Sequence, residues 1–335
     1  MKIFLKALSI FLGLVISILP QSKVGTTSAN FLTIPVGPRA AAMGGAFIAE
    51  ANDVYSAYWN PGGLSRIGRI EFSAAFSEWI VGTRHNWFGL SYALSEDDAV
   101  AISINQLDYG EDDITTPYQP DGTGQKWSAS DLALSVSYAR NLTDRFSIGG
   151  SVKYINQKIW NESASAFALD VGLLFYTELP NLRIGMNISN FGTEMQLAGD
   201  DLLQPYDIDP TDAGNNSNIA SNLATDTWTL PLVFAVGVAY DFVNTDDLKF
   251  TVETDAVYPN NQDGYLNLGG EFSWNNMVYF RGGFNSLGKA TRQGGLSAGI
   301  GIHYDFGGFF AKVDYSYTDF GIFNAIQRVA FTIGL

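Results

Sequence analysis

His85 and His303 are the only imidazoles in a chain of 335 residues, and there is no cysteine. A zinc site draws on clustered Cys and His ligands at short spacings, and two isolated histidines do not supply them. The acidic run Asp207-x-Asp209-x-x-Asp212 lacks the central glycine and terminal glutamate of an EF-hand loop, so it reads as a solvated loop. Gly44-Gly45 is not followed by a strand-then-helix unit, which removes the dinucleotide reading. No activated nucleophile stands out either. The expectation is a protein without catalytic residues, metal or cofactor, and without enzyme activity.

The charges that remain are arranged with a purpose of another kind. Glu71, Lys153, Asp170, Arg183, Asp241, Lys249, Glu253, Asp255, Glu271, Arg281, Asp305, Lys312, Asp314 and Arg328 occupy the positions opposite to apolar neighbours in alternating segments. Alternation of period two places successive side chains on opposite faces of a strand. Glu271 and Arg281 flank a hairpin at Trp274 and are expected to pair across it. Such charges either brace an interior or line a conduction path, and bracing is the preferred reading. Bulky residues on the same face (Trp87, Ile155, Leu174, Phe310) are too scattered to define an apolar pocket.

The elements that carry them are strands. From Arg69 onward apolar and polar residues alternate again and again, as in Phe72/Ala74/Phe76 against Glu71/Ser73/Ser77, or Leu296/Ala298/Ile300/Ile302 against Ser297/Gly299/Gly301/His303. About fourteen such segments follow one another to Leu335. Connections near Glu96, Thr143, Pro180, Thr245, Asn275 and Gly307 read as short. Those near Asp112, Glu162, Asp212, Asn260, Lys289 and Asp319 read as longer and alternate with them. Short turns on one rim and long loops on the other are the plan of a bacterial outer-membrane barrel. Tyr92, Tyr138, Tyr154, Tyr176, Tyr240, Trp274, Tyr304 and Tyr317 fall near strand ends, where amphipathic rings favour a membrane interface.

Composition agrees. Charged residues make up 16% of the chain, below the roughly 25% usual in soluble proteins, with 14% aromatics and 35 glycines. The net charge of −15 argues against nucleic acid as a partner, since that needs a basic face. Lys2 and Lys6 precede or flank an apolar run over residues 7–19. Residues 1–22 therefore read as a secretory signal peptide, with cleavage near Ser22. The expected organisation is a signal peptide at 1–22, an amino-terminal plug at 23–68 and a barrel at 69–335. The fold class is all-β: a transmembrane antiparallel up-and-down β-barrel with the plug in its lumen. It would sit among membrane lipid in the outer membrane of a Gram-negative bacterium.

The plug reading rests on residues 31–64, FLTIPVGPRAAAMGGAFIAEANDVYSAYWNPGGL. Small residues dominate and permit close backbone packing. Asn52-Asp53 can cap a helical turn through Tyr58, and Asn60-Pro61-Gly62-Gly63 stops it. Arg39 is expected to pair with an acid of the barrel wall. This stretch, with Gly37-Pro38-Arg39-Ala40, Ala42-Met43-Gly44-Gly45-Ala46, Asp53 and Trp59-Asn60-Pro61-Gly62-Gly63-Leu64, resembles the amino-terminal signature of PorV/PorQ family outer-membrane proteins, relatives of the FadL long-chain fatty-acid channels. Gly62 stands where many of those relatives have alanine. The resemblance implies a fourteen-stranded barrel whose plug carries Arg39, Met43, Gly44, Gly45, Asp53, Trp59, Asn60, Pro61 and Gly62 against lumen charges that include Glu71, Asp170, Arg183, Glu271 and Arg281.

It also implies two functions. One is an accessory role in type IX protein secretion, with exported proteins and a large translocon barrel as partners and the 190–228 loop as contact surface. The other is FadL-like uptake of hydrophobic small molecules, with the plug as gate. A lumen-bound hydrolase is the third reading, and it lacks a nucleophile. An apolar cavity at Met43 or Phe47 would favour uptake; a wide polar lumen would favour a protein partner.

Overall fold

The computed structural model describes residues 24–209, 211, 214, 216, 218–289 and 294–335. The expected signal peptide and Asp212 lie outside the described residues. Fourteen antiparallel strands close into a barrel: β1 (Glu71–Glu78), β2 (Arg84–Ala93), β3 (Asp98–Asp113), β4 (Lys126–Thr143), β5 (Phe146–Ile159), β6 (Glu162–Tyr176), β7 (Leu182–Gly192), β8 (Val233–Asn244), β9 (Leu248–Pro259), β10 (Tyr265–Trp274), β11 (Val278–Leu287), β12 (Leu296–Asp305), β13 (Phe310–Asp319) and β14 (Ala325–Gly334). Closure is made by β1 on β14, where Glu71 faces Gly334 and Glu78 faces Gln327. A closed barrel satisfies every ladder within the wall, which is what lets strands cross a bilayer. No helix among the described residues is long and apolar enough to cross a membrane.

The period-two pattern is realised strand by strand. In β1 the inward Glu71, Ser73, Ala75 and Ser77 alternate with outward Phe72 and Phe76, and in β12 the inward Ser297 and Gly301 alternate with outward Leu296, Ile300 and Ile302. Outward apolar side chains left at the surface of an isolated chain are those that meet lipid. Tyr92, Tyr138, Tyr240, Trp274 and Tyr304 ring the short-turn rim on the outer face. Tyr176 does not join them, because it falls on the inward parity and lies under the Arg66 guanidinium, 5.1 Å away.

Short turns at 94–97, 144–145, 177–181, 245–247, 275–277 and 306–309 occupy one rim. The opposite rim carries the connections at 114–125, 193–232 and 288–295. Three expected longer loops differ, and those near Asn260 and Asp319 span only 260–264 and 320–324, no longer than the short turn at 177–181. Near Glu162 the chain turns in two residues, Trp160 and Asn161, with Trp160 in the left-handed region at φ 54°. Length went instead into the strands: β3 to β6 run 14 to 18 residues and project past their neighbours. The 193–232 connection has structure of its own, pairing Leu203–Tyr206 with Ile219–Asn222 and Met195–Gln196 with Thr227–Trp228.

Residues 24–66 lie inside the barrel in two parts. Residues 24–36 enter at the long-loop rim, where Ser28 N donates to Thr229 O at 3.0 Å. Residues 37–66 then fill the half of the lumen next to the short turns, as helix α1 (Pro38–Ala42), helix α2 (Ser56–Trp59) and a 3-10 segment, Pro61–Arg66. The core is the seam between plug and wall. Val36, Met43, Phe47, Val54, Tyr55 and Leu64 pack on inward Ala75, Trp87, Ala99, Ala101, Ala139 and Ala330.

Candidate functional site

Short helices leave most backbone donors without intrahelical partners. In this plug the wall supplies them. Asp255 Oδ2 accepts from Phe47 N at 2.8 Å and Ile48 N at 3.2 Å, and Glu253 Oε1 accepts from Ala49 N at 2.6 Å. Glu71 Oε2 accepts from Val54 N at 3.1 Å, and Asn267 Nδ2 donates to Gly45 O at 3.1 Å. Asp53 caps the turn from within, accepting from Tyr55 N at 3.0 Å. Asn60 ends α2 and starts the next segment: its Oδ1 accepts from Gly62 N at 3.1 Å, while its Nδ2 donates to Ile48 O at 2.7 Å and to Leu173 O of β6 at 2.9 Å. Pro61 follows at the first position of the 3-10 segment, where no N–H is needed.

Arg39 is the electrostatic centre. Its Nε and Nη2 grip Glu271 of β10 at 2.8 and 2.9 Å, and its Nη1 reaches Asp53 at 2.9 Å and Asn52 at 2.6 Å. Nη2 also bonds Glu50 at 3.2 Å. Glu271 passes the contact to Arg281 Nε at 2.6 Å, and Arg281 Nη1 reaches Asp314 at 2.6 Å. On the other side Glu50 pairs with Arg183, which holds Asp241 by two bonds at 2.7 and 2.8 Å. Lys249 lies 3.5 Å from Glu50. Forked, charge-assisted bonds of this kind offset the desolvation that makes buried ions costly.

Close backbone approach completes the seal. Met43 is fully buried, its carbonyl lying over Gly283 of β11 and Gly269 of β10, where a side chain would overlap it. Gly44, at φ 66°, sits so near β11 that a methyl would stand 2.5 Å from Phe284 N. Gly62 is pressed against Gly172 of β6, where a methyl would stand 2.8 Å from the Gly172 carbonyl oxygen. Gly45 packs beside Trp59, whose Nε1 donates to Val36 O at 2.9 Å.

Arg39, Asp53, Arg183, Glu271 and Arg281 thus belong to one network, and Glu71 joins the plug separately, with Arg69 at 3.3 Å and Lys312 at 3.4 Å. Asp170 stands apart, paired with Lys153 at 2.5 Å and accepting from Asn190 N at 2.8 Å. Asp305 is not in the lumen network; it accepts from Gly307 N in an exposed turn. Sequence reasoning did not single out Glu50, 1% exposed between Arg39 and Arg183. The signal was available: it is the one acid between Arg39 and Asn52 in an otherwise uncharged stretch.

Above the plug a cavity of about 820 Å³ opens toward the long-loop rim. Its floor is Ala41, Gly44, Gly45, Ile48, Tyr58 and Trp59, and its walls include Phe31, Leu32, Ile34, Leu107, Val233, Val257, Phe320 and Phe323. Met43 and Phe47 lie beneath that floor and do not reach it. Trp87, Ile155, Leu174 and Phe310 are buried elsewhere in the wall. Lys289 stands in the loop above, and burial lowers its ammonium from the ordinary value against the pull of Asp263. His85 is buried against Asn105 at 2.6 Å and His303 stacks on Tyr279 at 4.0 Å, so the imidazoles are far from forming a joint site. Among the described residues no acid–histidine group has the composition of a metal site.

The fold is similar to solved channel barrels. The chain superposes on the CymD monoaromatic hydrocarbon channel with a TM-score of 0.54 at 13% identity, covering 89% of this chain and 96% of that one. It superposes on the Ralstonia pickettii toluene transporter TbuX with a TM-score of 0.54 at 15% identity, covering 89% and 97%. A Pseudomonas aeruginosa FadL homologue gives a TM-score of 0.51 at 11% identity, covering 92% and 97%. No curated protein matches the sequence. A family model described as type IX secretion system protein PorV matches residues 19–258. With the barrel, the plug and that match together, the chain is an outer-membrane barrel protein that belongs to the PorV family.

Proposed function

We propose that this barrel is an accessory of type IX protein secretion that holds exported proteins or a large translocon barrel at its loop-bearing rim. The observation that carries this reading is the closure of the lumen. Residues 37–66 fill the short-turn half and are fixed by Arg39, Glu50, Glu271 and the backbone contacts at Gly44 and Met43. A barrel locked in this way acts through its surface, and the family match supports the pathway. The 193–232 connection is the proposed contact, since it presents Leu203, Tyr206, Ile208, Leu223 and Trp228 exposed. Apolar residues grouped on a surface loop suit a protein partner. Residues 1–22 are the proposed export signal, and the host is a Gram-negative bacterium.

The test is affinity purification of the tagged protein from solubilised outer membrane, read by mass spectrometry. Recovery of a very large barrel, or of exported proteins sharing one carboxy-terminal domain, is expected. Recovery of the barrel alone would overturn the reading.

A second reading, uptake of hydrophobic small molecules, is favoured by the cavity above the plug and by the similarity of the fold to a hydrocarbon channel and a toluene transporter. It requires the plug to move, and a leak of such solutes through reconstituted wild-type protein would support it.

A further inference from the structure

Three polar side chains of the wall converge where two strands leave register. β6 and β7 pair Leu169 with Phe191 and then Val171 with Ile188, so Ser189 and Asn190 together oppose Asp170. A bulge of this kind re-aims a side chain that would otherwise follow the pleat. Asn190 takes up the extra length in the left-handed region, at φ 63°, which asparagine tolerates better than most residues. Its backbone N–H donates to Asp170 Oδ1 at 2.8 Å, and its Nδ2 donates to Pro231 O at 3.1 Å. Across β6, Lys153 of β5 donates from Nζ to Asn190 Oδ1 at 2.9 Å.

The same ammonium stands 2.5 Å from Asp170 Oδ2, an oxygen that takes no hydrogen bond from any other group. Lys153, Asp170 and Asn190 are 5%, 1% and 3% exposed. Lys153 has Ala168 opposite it in the ladder and Ile155 two residues on, both buried. An amine, a carboxyl group and a carboxamide thus meet on three adjacent strands, almost wholly out of water. A desolvated lysine beside a proton acceptor is an activated nucleophile. Holding it in contact with an amide carbonyl replaces a bimolecular encounter by a fixed one, the arrangement that gives intramolecular reactions their largest advantage.

We propose that Lys153 and Asn190 join in an intramolecular isopeptide bond, with Asp170 as the proton carrier. Asp170 Oδ2 takes a proton from the ammonium, and the freed Nζ lone pair attacks Asn190 Cγ. The Nζ–Cγ bond forms and the Cγ–Nδ2 bond breaks. Of the three Nζ protons one stays on the new amide, and two pass by way of Asp170 to Nδ2, which leaves as ammonium. The balance closes without an oxidant, a metal or a second substrate. Lys153 and Asn190 line the cavity, so the ammonium has a way out to water. The reaction gives up the bond from Nδ2 to Pro231 and fastens β5 to β7 at the root of the 193–232 connection, closing a covalent ring across 37 positions. The cross-link lies in the wall, apart from the Arg39 network, and stands whether the barrel serves secretion or uptake.

The test is the intact mass of the purified barrel, with peptide mapping of the same sample. The folded wild type is expected to be lighter than its processed sequence by one ammonia, and a branched peptide should join the Lys153 and Asn190 segments. Lys153→Arg, which keeps a positive charge beside Asp170, and Asp170→Asn, which removes the proton carrier, should each restore the full mass and two separate peptides. A folded wild type of full mass with no branched peptide overturns the proposal without recourse to any variant. An ammonia deficit mapped to an unbranched peptide also overturns it, by showing a cyclised asparagine and not a cross-link. A branched peptide at wild-type yield in Asp170→Asn overturns the role given to Asp170.

Discussion

The guanidinium of Arg39 and the carboxylate of Glu271 meet in a two-pronged contact, at 2.8 and 2.9 Å, across 232 positions of sequence. That contact ties the amino-terminal segment to the tenth strand of the wall and sits where the plug network branches. Glu271 is at the same time bonded to Arg281, so the plug and the wall share one carboxylate. Breaking it from the plug side strands several acids at once.

Arg39→Met is therefore expected to destabilise the folded barrel by about 3–5 kcal/mol, the range for removing one member of a buried ion pair. Glu271→Gln keeps the shape and some hydrogen bonds and should cost less, about 1–3 kcal/mol. The temperature at which the unboiled barrel loses its fast gel mobility measures this. Single-channel recording measures the plug directly: Arg39→Met should raise conductance above the wild-type value. Unchanged conductance and mobility in both variants would mean that the pair does not hold the plug.

Two neighbouring glycines separate packing from propensity. A methyl at Gly283 would overlap the Met43 carbonyl, whereas at Gly282 the nearest atom, Ser297 O, is 3.9 Å away. Both lie in β11 and face opposite sides of the wall. Gly283→Ala should cost about 1–3 kcal/mol through overpacking, or expel the plug, while Gly282→Ala should be tolerated. Protease sensitivity of the 24–66 segment distinguishes them. Equal behaviour of the two variants would contradict the close approach of plug to wall.

Asn60 carries three hydrogen bonds, two of them donated to carbonyls of different elements, and is fully buried. Asn60→Ala orphans Ile48 O, Leu173 O and Gly62 N together. The expected cost is about 1–3 kcal/mol for each buried group left unsatisfied, moderated by any water that enters. A fall in the mobility-loss temperature larger than that of Glu271→Gln is the predicted outcome. A wild-type midpoint would show that these groups find other partners.

The barrel was legible because alternation is a local code. Glu271 and Arg281 sit on the polar parity of two segments joined by a tight turn, and strand geometry then sets them face to face. The contact of Arg39 with Glu271 was not legible to the same degree. Parity and a charge balance point to some wall acid, but which acid depends on how the plug coils, and its short helices are positioned by wall contacts rather than by their own pattern. Loop length misled at Glu162, since β5 and β6 continue their ladder to a two-residue turn at Trp160 and Asn161. The parity of Arg328 showed that it faced inward, but its bonding to Thr318, with no ion pair among the described residues, is a property of the assembled wall. The cavity was equally hidden, because its floor combines Ile48 and Trp59 with walls drawn from strands throughout the barrel.

The most direct test of the account removes the outer hairpin and leaves the barrel. Leu223 N donates to Leu202 O at 2.9 Å, so residues 203–222 begin and end side by side and can be replaced by a short Gly-Ser link. The variant should keep heat-modifiable mobility and wild-type conductance, and should lose at least about tenfold in co-purified translocon barrel and exported proteins, the effect of a contact worth about 1.4 kcal/mol. Full retention of those partners by a correctly folded hairpin-less barrel would contradict the claim that this protein works through its loop-bearing rim.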